Sequence, residues 1–360
     1  MTRPSQLSRG RVRALALAGC LLLLATVAAG CGSSGSGGES SKTLVVATHD
    51  SWAMSKKVMT DFEKQTGITV KIQPQGDAGE LTNKLVLTKG APLADMVYGI
   101  DNTFASRAVD AGVLSSYTPK DAPASLKRFE LPQGGGAGQL TPIDYGDVCV
   151  NVDDSWFQAH HKTPPKTLQD LTRPTYKNLF VTEGATTSSP GMAFLLTTID
   201  RFGNGWQGYW RRLMANGTKI DAGWDDAWNV DYTAGGGHGD RPIVLSYASS
   251  PPDTVDPKTG KATTSALLDT CFRQIEYAGV LKGANNPQAA HRFIDFMLGK
   301  EFQAELPGEM YVYPVDTSVK LPSDWARWAK VAPNPSTMAP SEITAHRSQW
   351  LSQWRDVTSG

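Results

Sequence analysis

Two adjacent hydroxyls stand directly ahead of an apolar run in Thr187-Ser188-Ser189-Pro190-Gly191, followed by Met192-Ala193-Phe194-Leu195. Serine at an N-cap and proline in the first turn start a helix, and the free N–H groups there, with the helix dipole, attract anions such as phosphate. A plain capped helix satisfies the same five residues, so both readings stand. Gly223-Trp224-Asp225-Asp226-Ala227-Trp228 sets two tryptophans four apart, on one face if the segment is helical. The flanking glycine and carboxylates mark Trp224 as the exposed member, whose ring can stack on a cation or a heteroaromatic ligand, and Trp228 as the core member. Leu245-Ser246-Tyr247-Ala248-Ser249-Ser250-Pro251 ends an apolar run in a cluster of hydroxyls, and in Met310-Tyr311-Val312-Tyr313 the alternating tyrosines share a face if the segment is extended.

Enzyme signatures are missing from the chain. It holds no G-x-S-x-G elbow, no H-E-x-x-H, no Walker loop and no dinucleotide fingerprint, so no catalytic residue, cofactor or metal is assigned. His160-His161 reads as a solvated pair rather than a metal site.

The four cysteines divide by position. Arg3, Arg9, Arg11 and Arg13 precede an apolar run from Ala14 to Ala29, which is the length of a signal-peptide core and short for a spanning helix. Val27-Ala28-Ala29-Gly30-Cys31 is similar to the lipobox of bacterial lipoproteins, with Ala28 where leucine is more usual. Residues 1–30 are therefore read as a signal peptide that removes Cys20, Cys31 as a lipidated N-terminus, and 31–42 as a flexible Gly/Ser tether. The expected location is extracytoplasmic, with the chain anchored to the cell membrane as a lipoprotein. Cys149 and Cys271 are left as an even pair in an oxidising compartment and read as a disulfide, two buried thiols being the alternative.

These residues need elements to position them. The full chain balances 35 basic against 35 acidic residues, and loss of the four leading arginines leaves 31 against 35, which argues against nucleic acid as a partner. From Thr43 onward there is enough chain for two cored domains, and no later run is long and apolar enough to span a bilayer. Strand, helix and strand signals alternate through Leu44–Thr48, Val58–Phe62, Ile68–Ile72, Glu80–Thr88 and Ala94–Tyr98, which predicts an α/β fold with a parallel sheet. Ligands of such sheets lie beyond the carboxyl ends of strands, which places His49, Asp50, Ser51, Asp77, Asp101 and Asn102 towards a cleft. Ile143–Val150 reads as a crossing strand, Ile243–Tyr247 as part of a second unit and Gln274–Leu281 as a return strand. The result is a hinged pair of lobes, 43–147 with 279–318 and 148–278 with 319–360.

With the elements placed, the chain resembles the thiamine-binding solute-binding proteins of bacterial ABC importers. The resemblance runs from Leu44 to about Val357 on Thr48-His49-Asp50-Ser51-Trp52, Gly99-Ile100-Asp101-Asn102, Asp144-Tyr145-Gly146, Ser188-Ser189-Pro190-Gly191, Gly223-Trp224, Leu245-Ser246-Tyr247 with Ser250-Pro251, Phe302-Gln303 and Tyr313-Pro314-Val315. It implies a two-lobe, type II periplasmic-binding-protein-like fold with hinge strands. It also implies a monomer that closes on thiamine, thiamine monophosphate or thiamine diphosphate and delivers it to a permease in the same membrane. The family's pocket maps to His49, where tyrosine is common, and to Asp77, Ser188, Ser189, Trp224, Tyr247 and Tyr311, where tryptophan is common. Trp224, Tyr247 and Tyr311 would supply π faces, Asp77 would accept from the exocyclic amine, and Ser188 and Ser189 would take a phosphate. Ferric-iron-binding proteins share this fold but usually offer adjacent tyrosines, and no Tyr-Tyr pair occurs here. A thiaminase-like enzyme would need a free thiol at Cys149 or Cys271.

Overall fold

The computed structural model describes residues 42–236 and 238–359. The expected signal peptide, Cys31 and the expected tether up to residue 41 lie outside the described residues. Among the described residues no helix is long and apolar enough to cross a membrane.

The first unit follows the alternation in the sequence. Strands Thr43–Thr48 (β1), Thr69–Pro74 (β2) and Met96–Asp101 (β3) pair in parallel with β1 in the middle, joined by helices Lys56–Thr66 and Ala78–Leu87. The first helix shows why its residues fold locally. Ser55 accepts from the Val58 N–H at its start, Gly67 closes it in the left-handed region at φ 68°, and Val58 and Phe62 turn inwards. Burying a side chain such as Phe62 contributes about 1.5–3 kcal/mol.

The sheet then departs from a purely parallel plan. A short strand Leu114–Ser115 (β4) precedes the 13-residue strand Thr141–Asp153 (β5). Phe180–Glu183 (β6), Lys219–Asp221 (β7) and Ile243–Tyr247 (β8) form a second parallel set, followed by a small pair, Val255–Asp256 (β9) with Lys261–Ala262 (β10), and by Thr264–Ala266 (β11). Phe272–Leu281 (β12) and Tyr313–Pro314 (β13) complete the list. The sheet order is β2-β1-β3-β12-β5-β8-β6-β7. β12 runs antiparallel to both β3 and β5, and β5 antiparallel to β8, so two parallel units are joined through antiparallel central strands. That makes the sheet mixed, because strands returning from one unit to the other must reverse direction.

Apolar side chains collect on both flanks of this sheet. Leu44, Val46, Phe62, Phe293, Ile294 and Met297 belong to one cluster; the last three lie on the buried face of helix Pro287–Met297. Phe180, Phe194, Leu195 and Trp210 belong to another, where Trp354 of the terminal helix Pro340–Thr358 meets Trp210 edge-on at 5.6 Å. The expected disulfide is present: Cys149 of β5 is bonded to Cys271, the residue before β12, across 122 positions of sequence. Both cysteines are fully buried.

Candidate ligand-binding site

A solvent-open cavity lies at the ends of the strands. His49 and Ser51 reach it from the turn after β1, Tyr247 and Ser250 from the end of β8, and Glu276 from β12. Asp77, Ser189 and Trp224 enter from the starts of three helices, and Met310, Tyr311 and Val312 close the remaining side. Of the residues that the sequence points towards a cleft or pocket, His49, Ser51, Asp77, Ser189, Trp224, Tyr247 and Tyr311 therefore line one space.

Each aromatic wall is fixed by its neighbours. The Trp224 ring stacks on Trp228 at 5.5 Å and 14°, and its indole N–H donates to Ser246 Oγ at 2.8 Å. Tyr247 donates its hydroxyl to Gln274 Oε1 at 2.9 Å and lies over Gly146, where a Cβ would come within 2.8 Å of the ring. Gly99, at φ 101°, lies under the His49 ring in the same way, and a Cβ there would run into that ring. Both glycines are needed for close approach of a side chain to backbone. Tyr311 has a left-handed backbone at φ 55° and its carbonyl accepts from Ser249 Oγ at 2.6 Å. Tyr311 and Tyr313 both pack against Trp325, at 6.1 Å and 5.2 Å. Tyr313 also pairs with Tyr145 in β13 and β5 and stacks on its ring at 5.2 Å.

Asp77 ties the two sides of the cavity together. As N-cap of Ala78–Leu87 it accepts from Ala78 N, and the same carboxylate accepts from Ser189 N at 3.3 Å and Trp224 N at 3.0 Å. Ser51 Oγ donates to Asp225 Oδ1 at 2.8 Å beside it. The helix start Ser189–Phe202, open in the sequence to either an anion site or a plain cap, thus already faces a carboxylate. Ser188, fully buried, spends its hydroxyl as the N-cap acceptor of Gly191 N, and so does not line the cavity.

Asp101 is also buried away from it. Its carboxylate accepts from the Thr103 hydroxyl and from the Thr103 and Phe104 N–H groups, anchoring the turn after β3. Burial lifts its pKa from 3.8 to about 6, against the opposing pull of the Ser189 and Thr103 hydroxyls. Native Asp101 therefore keeps a proton that the unfolded chain releases between about pH 4 and pH 6. Stability is expected to fall as pH rises through that interval, by up to ~1.4 kcal/mol per pH unit, and to level off above it. Urea unfolding at a series of pH values should show a flatter decline in Asp101→Asn; an unchanged slope would refute the assignment.

A second cavity adjoins the first and shares Ser51, Asp77 and Trp224 with it. Asp50, Glu80, Asp225 and Asp226 complete its acidic lining. Among the described residues no lysine or arginine lines either cavity. At the base of the first cavity, Tyr98 donates to Asp144 Oδ2 at 2.6 Å and approaches Glu276 Oε2 at 3.3 Å, while Glu276 Oε1 stands 3.4 Å from His49 Nε2. No motif marks Glu276; its one sequence signal is an acid inside the apolar run Ile275-Glu276-Tyr277-Ala278-Gly279-Val280.

The architecture is that of the two-lobe, type II periplasmic-binding-protein-like proteins. A solved periplasmic thiamin binding protein matches it at a TM-score of 0.76 with 25% identity, over 88% of this chain and 96% of that one. Residues 91–333 match the bacterial extracellular solute-binding protein family, and the chain belongs to that family. Among curated relatives, the thiamine-binding periplasmic protein of Salmonella typhimurium is 27% identical over 88% of this chain and 93% of its own length. That of Brucella suis is 28% identical over 88% and 92% respectively.

Proposed function

We propose that this chain is the extracytoplasmic binding component of an ABC importer, capturing thiamine or its phosphates and passing them to a permease. The observation that carries the reading is the cavity itself: Trp224, Tyr247 and Tyr311 offer aromatic surface, while Asp77 and Glu276 line it with acidic groups and no lysine or arginine does. A flat heteroaromatic ligand with a permanent positive charge suits such a lining. Relatives named for thiamine binding support the choice. In this reading the lobes 43–147 with 279–318 and 148–278 with 319–360 close on a monomer, and lipidated Cys31 keeps the protein at the membrane that holds the permease. Capture without chemistry fits the cysteines: the bridge between Cys149 and Cys271 occupies both thiols that a thiaminase-like reaction would draw on.

Calorimetric titration of the purified protein tests this. Thiamine is expected to bind one to one, ferric citrate and spermidine to give no isotherm, and thiamine to stay intact during incubation with an amine nucleophile. Trp224→Ala is expected to weaken thiamine binding by about 1–2 kcal/mol through lost cation–π contact. A silent thiamine titration, or an unchanged isotherm in the variant, would sink the assignment.

A further inference from the structure

β12 leaves its regular ladder at one place. Its register shifts against β5 between Glu276 and Tyr277, and against β3 between Tyr277 and Ala278. Such irregularities re-aim a side chain that strict alternation would send elsewhere. Glu276 is the residue at this break that lines the cavity. The strand is clamped just before it: Asn102 Nδ2 donates to Arg273 O, and Asn102 Oδ1 accepts from Ile275 N, both at 3.0 Å.

The surroundings leave Glu276 short of a counter-charge. It is 6% exposed, and no lysine or arginine lines the space it faces among the described residues. The Tyr98 hydroxyl has one proton, and its 2.6 Å contact with Asp144 takes it in preference to the 3.3 Å contact with Glu276. The other polar neighbours of Glu276 are Asp144, which shares a side-chain hydrogen bond with it, and His49, whose Nε2 stands 3.4 Å away. Burial, and then the nearby Glu276 carboxylate, raise the Asp144 pKa well above the usual carboxylate range. A buried carboxylate with no lysine or arginine beside it is costly, and a permanently charged ligand cation lowers that cost.

We infer that Glu276 is the counter-charge of the bound ligand, set against its positive ring by the break in β12. The inference rests on the thiamine-type ligand proposed above and adds a residue that selects by charge. Its test uses thiamine and an uncharged isostere in which a thiophene replaces the thiazolium, titrated against the full chain and against Glu276→Gln. Wild-type protein is expected to prefer thiamine at least tenfold, and Glu276→Gln to bring the two within about threefold by weakening thiamine alone. Glu276→Asp, which keeps the charge, should retain most of the preference. A preference undiminished in Glu276→Gln overturns the role. Should that variant fail to fold, equal binding of both compounds by wild-type protein overturns it without any substitution, and a clear wild-type preference kept by Glu276→Asp upholds it. Binding of neither compound would instead refute the ligand reading, and this inference with it.

Discussion

Cys149→Ala/Cys271→Ala is expected to unfold at lower urea concentration than the parent protein, with a stability loss of about 2–4 kcal/mol. The bridge closes a loop across 122 positions, and in the chain-entropy account long loops gain most, because the crosslink removes many unfolded conformations. The pairing itself is not at risk. Phe272 stands opposite Val148 in the ladder of β12 and β5, so the two sites are already neighbours through backbone hydrogen bonds. The double variant should therefore reach the same fold and give a lower midpoint with thiamine binding retained. A midpoint equal to that of the parent would show that the sheet alone holds the strands and that the bridge adds nothing.

Phosphorylation of the ligand is expected to weaken binding, by about tenfold for thiamine monophosphate and about a hundredfold for the diphosphate, or ~1.4 and ~2.7 kcal/mol. The helix start that would cradle a phosphate already receives Asp77, whose carboxylate holds Ser189 N and Trp224 N. Beyond it lie Asp50, Glu80, Asp225 and Asp226, with no basic side chain among the described residues to offset them. One pair of like charges about 8 Å apart near a protein surface costs about 2 kcal/mol before salt screening, so several acids outweigh a helix dipole worth ~0.3–1 kcal/mol. Parallel titrations with the three compounds check the order, and Asp77→Asn should narrow the gap. Equal affinities would mean that Asp77 leaves the helix start when ligand enters, and the charge argument would fail.

Much of this could be seen in the chain before any coordinates. Alternating apolar runs marked β1, β2 and the helices between them, and the long run Ile143–Val150 marked the strand that joins the two units. His49, Asp77 and Trp224 were legible because each follows a strand or precedes a helix, where side chains project into clefts. Asp101 and Ser188 occupy the same kind of position, yet they turn inwards to backbone N–H groups, a choice between capping and ligand contact that residue type does not disclose. Glu276 was hidden for another reason: a register shift leaves no trace in composition, so an acid in mid-strand looks like one more alternating position. Tyr311 lines the cavity and, like Tyr313, packs against Trp325, a contact reached through a left-handed backbone that residue type does not announce.

That left-handed residue carries an evolutionary consequence. A tyrosine at φ 55° costs on the order of 1–3 kcal/mol that glycine would not incur. Selection for thermal endurance alone would therefore drift towards glycine or asparagine at 311 and erase one wall of the cavity as it did so. Tyr311→Gly is expected to gain stability while it opens that side of the cavity.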